Sequence, residues 1–124
     1  MTHVIGDDEP PNCGTDRFEG YRYGGTNVSF FLSETPPGRG PGSHTQPYDE
    51  VFVVQEGYLI FTVADATVEA TSGQTVVAAT GASHTFVDSG PGRGRHIDIH
   101  TGRRMVTERL EGQKSGDGNG GMGS

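Results

Sequence analysis

Between residues 27 and 110 the chain is a series of short β-branched and aromatic runs, each closed by turn-forming residues, and this pattern constrains its fold most. Strands are expected at "NVSFFLSE" (27–34), "EVFVVQE" (50–56), "YLIFTVA" (58–64), "TVEAT" (67–71), "TVVAA" (75–79), "HTFVD" (84–88) and "RHIDIH" (95–100), with "RMVTERL" (104–110) as a further candidate. The breakers between them are "TPPGRGPG", "EG", "DA", "SGQ", "TGAS" and "SGPGRG", rich in the residues that favour turns. No stretch sustains the 3.6-residue apolar period of an amphipathic helix, so parallel βαβ units lack their crossovers. The expectation is an all-β sandwich or barrel. "AD" at 64–65 predicts a tight hairpin, and Gly57 a sharp bend between two strands with almost no linker.

The 124 residues suit one domain. The N-terminal segment 1–19 contains "GDDEPPNCG", and 112–124 reads "GQKSGDGNGGMGS", six of whose thirteen residues are glycine. Neither offers apolar surface to offset ordering entropy, so both are expected to be flexible, with the folded domain over 20–111. A net charge of −7 argues against nucleic acid or an anionic membrane as partner. "GRGPG" and "GPGRGR" are too short and scattered for an RNA-binding segment and read as turns. Cys13 is the only cysteine, so no internal disulfide forms. With no signal-peptide pattern and no apolar run long enough to span a bilayer, the expected location is the cytoplasm.

"GSHTQPYDEVFVVQEG" (42–57) carries the chemistry. In extended backbone, residues two apart share a face, so His44 and Gln46 lie side by side, and Glu50 has the same parity. An imidazole, an amide oxygen and a carboxylate leave positions open on a six-coordinate ion, so another ligand is expected from elsewhere. His84 is the best candidate. It opens a strand after a glycine-containing turn and shares its face with Phe86, where an unpartnered imidazole would be costly and a metal would supply the partner.

The spacing of these residues resembles the cupin superfamily. Gly38, five residues, His44, one, Gln46, three, Glu50, six, Gly57 is the spacing of the first cupin motif, with Gln46 where a second histidine is usual. Gly73, five residues, Ala79, one, Gly81, two, His84, three, Asp88 is that of the second motif, with Ala79 and Asp88 at its usual proline and asparagine. Fifteen residues separate the motifs, as in compact single-domain members. The resemblance implies a jelly-roll β-barrel with a metal inside its mouth, held by His44, Gln46, Glu50 and His84. A divalent ion is implied, with Fe or Mn favoured over Ni, Zn or Co, because an amide oxygen in place of imidazole weakens the late first-row ions most. It also implies a small-molecule ligand or substrate and a homodimer, with the strand near 18–34 as a candidate for exchange.

Two imidazoles and a carboxylate match the donor set of non-haem iron oxygenases, so dioxygenase-type chemistry leads slightly. Non-redox isomerase, epimerase, cyclase or lyase chemistry, and a non-catalytic binding or sensor module, are the alternatives, since the fold does not choose among them. Glu50 and Tyr48 are the candidates for moving protons. Phe52, Val54, Ile60 and Phe86 are expected as core or pocket wall, and Tyr48, Tyr21 and Arg22 as residues near the barrel mouth. His96, Asp98 and His100 alternate with Ile97 and Ile99. The isoleucines are expected to point inward, which places the histidines at an edge or interface. Arg103, Arg104 and Arg109 are expected as solvated charges.

Overall fold

The computed structural model describes residues 17–109. The segments 1–16 and 110–124, which hold most of both expected flexible tails, lie outside the described residues. The strands are β1 (Arg17–Glu19), β2 (Ser29–Thr35), β3 (His44–Thr45), β4 (Glu50–Glu56), β5 (Tyr58–Val63), β6 (Ala66–Thr71), β7 (Thr75–Ala78), β8 (His84–Asp88), β9 (Gly94–His100) and β10 (Glu108–Arg109). One 3-10 turn, Gly20–Arg22, follows β1, and no α-helix occurs among the described residues. None of their helices is long and apolar enough to cross a membrane.

The strands form two five-stranded antiparallel sheets, ordered β1-β2-β9-β4-β7 and β10-β3-β8-β5-β6. This is the expected all-β jelly-roll. Arg17–Glu19 pair with β2, and Phe18 stacks on Phe30 at 5.0 Å, so the sheet takes in residues before position 20. Of the expected run 104–110, only Glu108 and Arg109 pair, with β3. Ahead of them the backbone bonds to side chains instead: Met105 N–H donates to Glu19 Oε2 and Val106 N–H to the Tyr48 hydroxyl. "GRGPG" is more than a turn. Gly38 N–H donates to Asp88 O, and Asp88 N–H to Arg39 O, so the segment is laced to the end of β8. A Cβ on Gly40 would stand 1.8 Å from Phe86 O, an approach only glycine permits.

Gly57 bends the chain between β4 and β5 at φ 99° beside a break in the β4–β9 register. The hairpin at 64–65 closes β5 onto β6 with Ala64 at φ 52°, in the left-handed region. A Cβ costs energy there, so Ala64→Gly should raise stability by about 0.5–1 kcal/mol, measured as a shift in the urea midpoint.

The core between the sheets is Phe52, Val54, Leu59, Phe61, Ala70, Ala78 and Phe86. Phe52, Phe61 and Phe86 form an aromatic triangle with ring centroids 4.9–5.8 Å apart. Two sequence expectations are corrected here. Ile60 is not a pocket wall. Pairing of β5 with β8 sets Phe61 opposite Phe86 and Ile60 opposite Val87, so Leu59 and Phe61 point inward and Ile60 out.

The isoleucines of β9 are not the inward set either. His96, Asp98 and His100 are fully buried, while Ile97 and Ile99 lie on the other face. There they extend two apolar rows: Phe18–Phe30–Ile99–Val51–Val77 across all five strands, and Leu32–Ile97–Val53 beside it. This sheet has apolar side chains on both faces, so hydrophobicity does not reveal which one is inside. Burial of the polar face is offset by bonding: His96 Nε2 meets Thr35 Oγ1 at 2.8 Å, and His96 Nδ1 meets Asp98 Oδ1.

Candidate metal centre

His44 and His84 are direct cross-strand partners on β3 and β8, and Glu50 and His100 are partners on β4 and β9 of the opposing sheet. All four are between 0 and 2% exposed. Ligand atoms of His44, Glu50 and His84 lie within 4.8 Å of one another, so these three can hold a divalent ion. The first and second motifs are tied together by Gly81 N–H donating to the Gln46 carbonyl at 3.0 Å.

The tautomers follow from the backbone. His44 Nδ1 lies 2.7 Å from Gly42 O and His84 Nδ1 3.0 Å from Ala82 O. A carbonyl only accepts, so both Nδ1 atoms carry a proton, and Nε2 is the atom each ring can offer to an ion. Yet His84 Nε2 stands 3.0 Å from Glu50 Oε1. Two acceptors at that distance repel unless a proton or a cation lies with them. About 3 Å is also the separation of adjacent ligand atoms around an octahedral ion with bonds of about 2.1 Å. Metal-ligating histidines usually donate their other N–H to a carbonyl or carboxylate, as both do here. The residues therefore fit a metal ion.

Gln46 is 2% exposed; its Nε2 donates a long 3.4 Å bond to Thr107 Oγ1, and its Oε1 has no hydrogen-bond donor among the described residues. A buried amide oxygen without a donor is unusual and suits a weak fourth ligand. Glu50 is the only carboxylate among the described residues grouped at the centre. Burial pushes its carboxyl up, but the His100 and His84 imidazoles against its two oxygens outweigh that and hold it below the usual range.

Sequence reasoning missed His100. Its Nε2 is 3.2 Å from Glu50 Oε2, close enough for charge attraction but too oblique for a hydrogen bond. Its Nδ1 is 2.6 Å from the Tyr48 hydroxyl, which also accepts from Val106 N–H at 2.7 Å and faces Val106 O at 3.1 Å. Burial, followed by the nearby Glu50 and Glu19 charges, pushes Tyr48 up to about 12 against the lowering bond to Val106, so it stays protonated at neutral pH. The alternation in "HIDIH" was the available signal. Locating His100 beside Glu50 needed the β4–β9 register.

Of the expected pocket residues, Phe52 and Phe86 are packed core, with the Phe52 ring 5.7 Å from His84 as the floor of the centre. Tyr48 alone lines a cavity, a surface cleft shared with Tyr21, Gly102, Arg103, Arg104 and Val106. Arg22 lies beside this cleft, 4.8 Å from the Tyr21 ring.

The cupin domain family matches residues 31–100, more than half of the chain and both motifs. The protein is a cupin. Solved structures agree in fold. A cupin superfamily protein from Desulfitobacterium hafniense superposes with a TM-score of 0.56 at 16% identity, covering 60% of this chain and 67% of that one. KdgF from Halomonas sp. gives 0.59 at 19% identity over 64% and 72%. Oxalate decarboxylase of Bacillus subtilis, which has Mn(II) centres, gives 0.64 at 16% identity and covers 68% of this cupin, which spans only 24% of that longer chain. At such identities the likeness is one of fold. No curated protein matches this cupin in sequence.

Proposed function

We propose that this cupin binds one divalent transition ion through His44, Glu50 and His84, with Gln46 as a weak fourth donor, and acts as a metal-dependent enzyme on a small oxygen-bearing molecule. The supporting observation is the convergence of two imidazole nitrogens and a carboxylate within 4.8 Å. Two imidazoles and one carboxylate favour Fe or Mn and leave positions for substrate and O₂, which puts dioxygenase-type chemistry first. Once bound, the ion supplies Lewis-acid polarisation and, if redox-active, electron transfer. The chain's own residues do the rest. Glu50 supplies the negative charge that offsets the ion, Phe52 walls water from His84, and Tyr48, protonated at neutral pH, holds a proton against His100.

Elemental analysis after purification without chelators tests the metal, with about one equivalent expected. Oxygen uptake by the Fe²⁺-loaded protein over a panel of enolic and α-hydroxycarbonyl substrates tests the chemistry. Turnover without O₂ would move the assignment to isomerase or lyase chemistry, and saturable binding without turnover to a non-catalytic module. Tyr48→Phe and His100→Gln remove groups behind Glu50 without touching a ligand. Each should weaken Mn²⁺ or Co²⁺ affinity by about 10–100-fold in direct titration. Affinity within twofold of wild type in both would mean that Glu50 needs no support from this side.

A further inference from the structure

The surface cleft beside Tyr48 encloses about 390 Å³, near the lower end of the range for small-molecule sites. Its floor is built by the backbone. Tyr21 N–H donates to Arg103 O at 2.9 Å, and Ser29 Oγ donates to Gly102 O at 2.8 Å. The Arg104 guanidinium lies 3.9 Å from the centroid of the Tyr21 ring, a stacking that restricts its rotamers before any ligand arrives. Glu19 is already engaged: its Oε1 pairs with Arg17 and Arg22, and its Oε2 accepts from Met105 N–H. Arg103 and Arg104 have no carboxylate within ion-pair distance among the described residues. A chain with a net charge of −7 thus keeps, on the walls of one small cleft, two cationic side chains with no acidic partner among the described residues.

We infer that this cleft is an oxyanion-binding site, taking a carboxylate or phosphate group of a small molecule on the Arg103 and Arg104 guanidinium groups. A planar guanidinium donates to two oxygens of such a group at once, and its charge strengthens both bonds. The cleft's size excludes a macromolecular ligand from its interior. Its fourth wall, Tyr48, is the side chain that contacts His100 behind Glu50, so the site adjoins the metal centre through one hydrogen bond of 2.6 Å.

The test uses the full chain dialysed free of metal, so that it is independent of whether the centre holds an ion. Malonate and inorganic phosphate are titrated in turn and followed by calorimetry and by NMR of the arginine Nε–H and backbone amide signals. Saturable binding is expected, with shifts at Tyr21, Gly102, Arg103 and Arg104. Arg103→Gln and Arg104→Gln should each weaken it about tenfold. Arg104→Lys, which keeps the charge but loses the fork, should fall between. Arg95→Gln, at an exposed arginine paired with Glu34 and Glu56, should leave it unchanged. Tighter malonate binding would assign carboxylates and tighter phosphate binding would assign phosphates. No saturable binding of either anion, or equal affinity in the Arg103→Gln, Arg104→Gln double variant, would overturn the site.

Discussion

Glu50→Gln should leave the protein unable to retain its metal. Glu50 is the only carboxylate among the three grouped ligands, and its oxygens face His84 at 3.0 Å and His100 at 3.2 Å. Glutamine keeps the volume and removes the charge. Losing support around a ligand already costs about 10–100-fold in affinity, so losing this ligand should cost more than about 100-fold. His84→Ala should behave alike. Stability supplies a second readout. An ion at about 100 times its dissociation constant stabilises the folded state by about 2.7 kcal/mol, which in a domain of this size is roughly 10–20 °C in Tm. Wild type should show that rise on adding Mn²⁺ or Fe²⁺ and lose it to a chelator, while both variants should show neither. In the metal-free protein the acid limb should also change. Glu50 binds its proton less readily folded than unfolded, so its contribution is complete at neutral pH and is lost as pH falls through the folded value. Glu50→Gln should flatten that limb. One equivalent of metal at undiminished affinity in Glu50→Gln would refute the assignment of these ligands.

Phe52→Ala should be the most destabilising single core substitution. The ring is fully buried between Phe61, Phe86 and His84, with centroids at 4.9, 5.8 and 5.7 Å. Truncating a buried phenylalanine costs about 3–5 kcal/mol in lost transfer energy and residual cavity. Because the ring floors the centre, metal affinity should fall as well, from loosening of His84. Phe52→Leu refills most of the volume and should recover most of both. Ile60→Ala, three chain positions from the bend at Gly57 but on the outer face, should cost less than half as much. Urea midpoints for the three variants decide this. Equal losses at Phe52 and Ile60 would contradict the assignment of Phe52 on β4 to the inner face and Ile60 on β5 to the outer.

Most strand positions were legible because glycine, proline and aspartate mark where each run stops. The runs at 50–56 and 84–88 match β4 and β8 at both ends. The two-residue β3 and the three-residue β1 were not read as strands of their own and β10 only as part of the longer run 104–110, since so short a segment carries no periodicity of its own. Which face a strand buries was legible only where polar and apolar residues alternate toward one core. "YLIF" is apolar at every step, and "HIDIH" obeys the alternation but in the opposite sense, because its apolar members join Phe30 and Val51 on the outer face. The metal ligands were easier to read than the core. Ligand geometry ties residue type to exact spacing, whereas a core requires only volume and apolarity. His100 escaped because its role depends on which residue lies across from it in another strand, and a single sequence holds no record of that pairing.

The centre draws on four strands, β3, β4, β8 and β9, whose contributing residues run from His44 to His100 along the chain. None of the contacts across it is local except the short step from His44 to Glu50, so the unfolded chain presents no preformed site. An ion bound there would close long loops and join the two sheets, much as a covalent cross-link does. Contacts so far apart in sequence are expected to form late in folding. Their energy would therefore fall mainly on the unfolding rate, and the ion would act as a kinetic latch on the assembled barrel rather than as a template for its assembly.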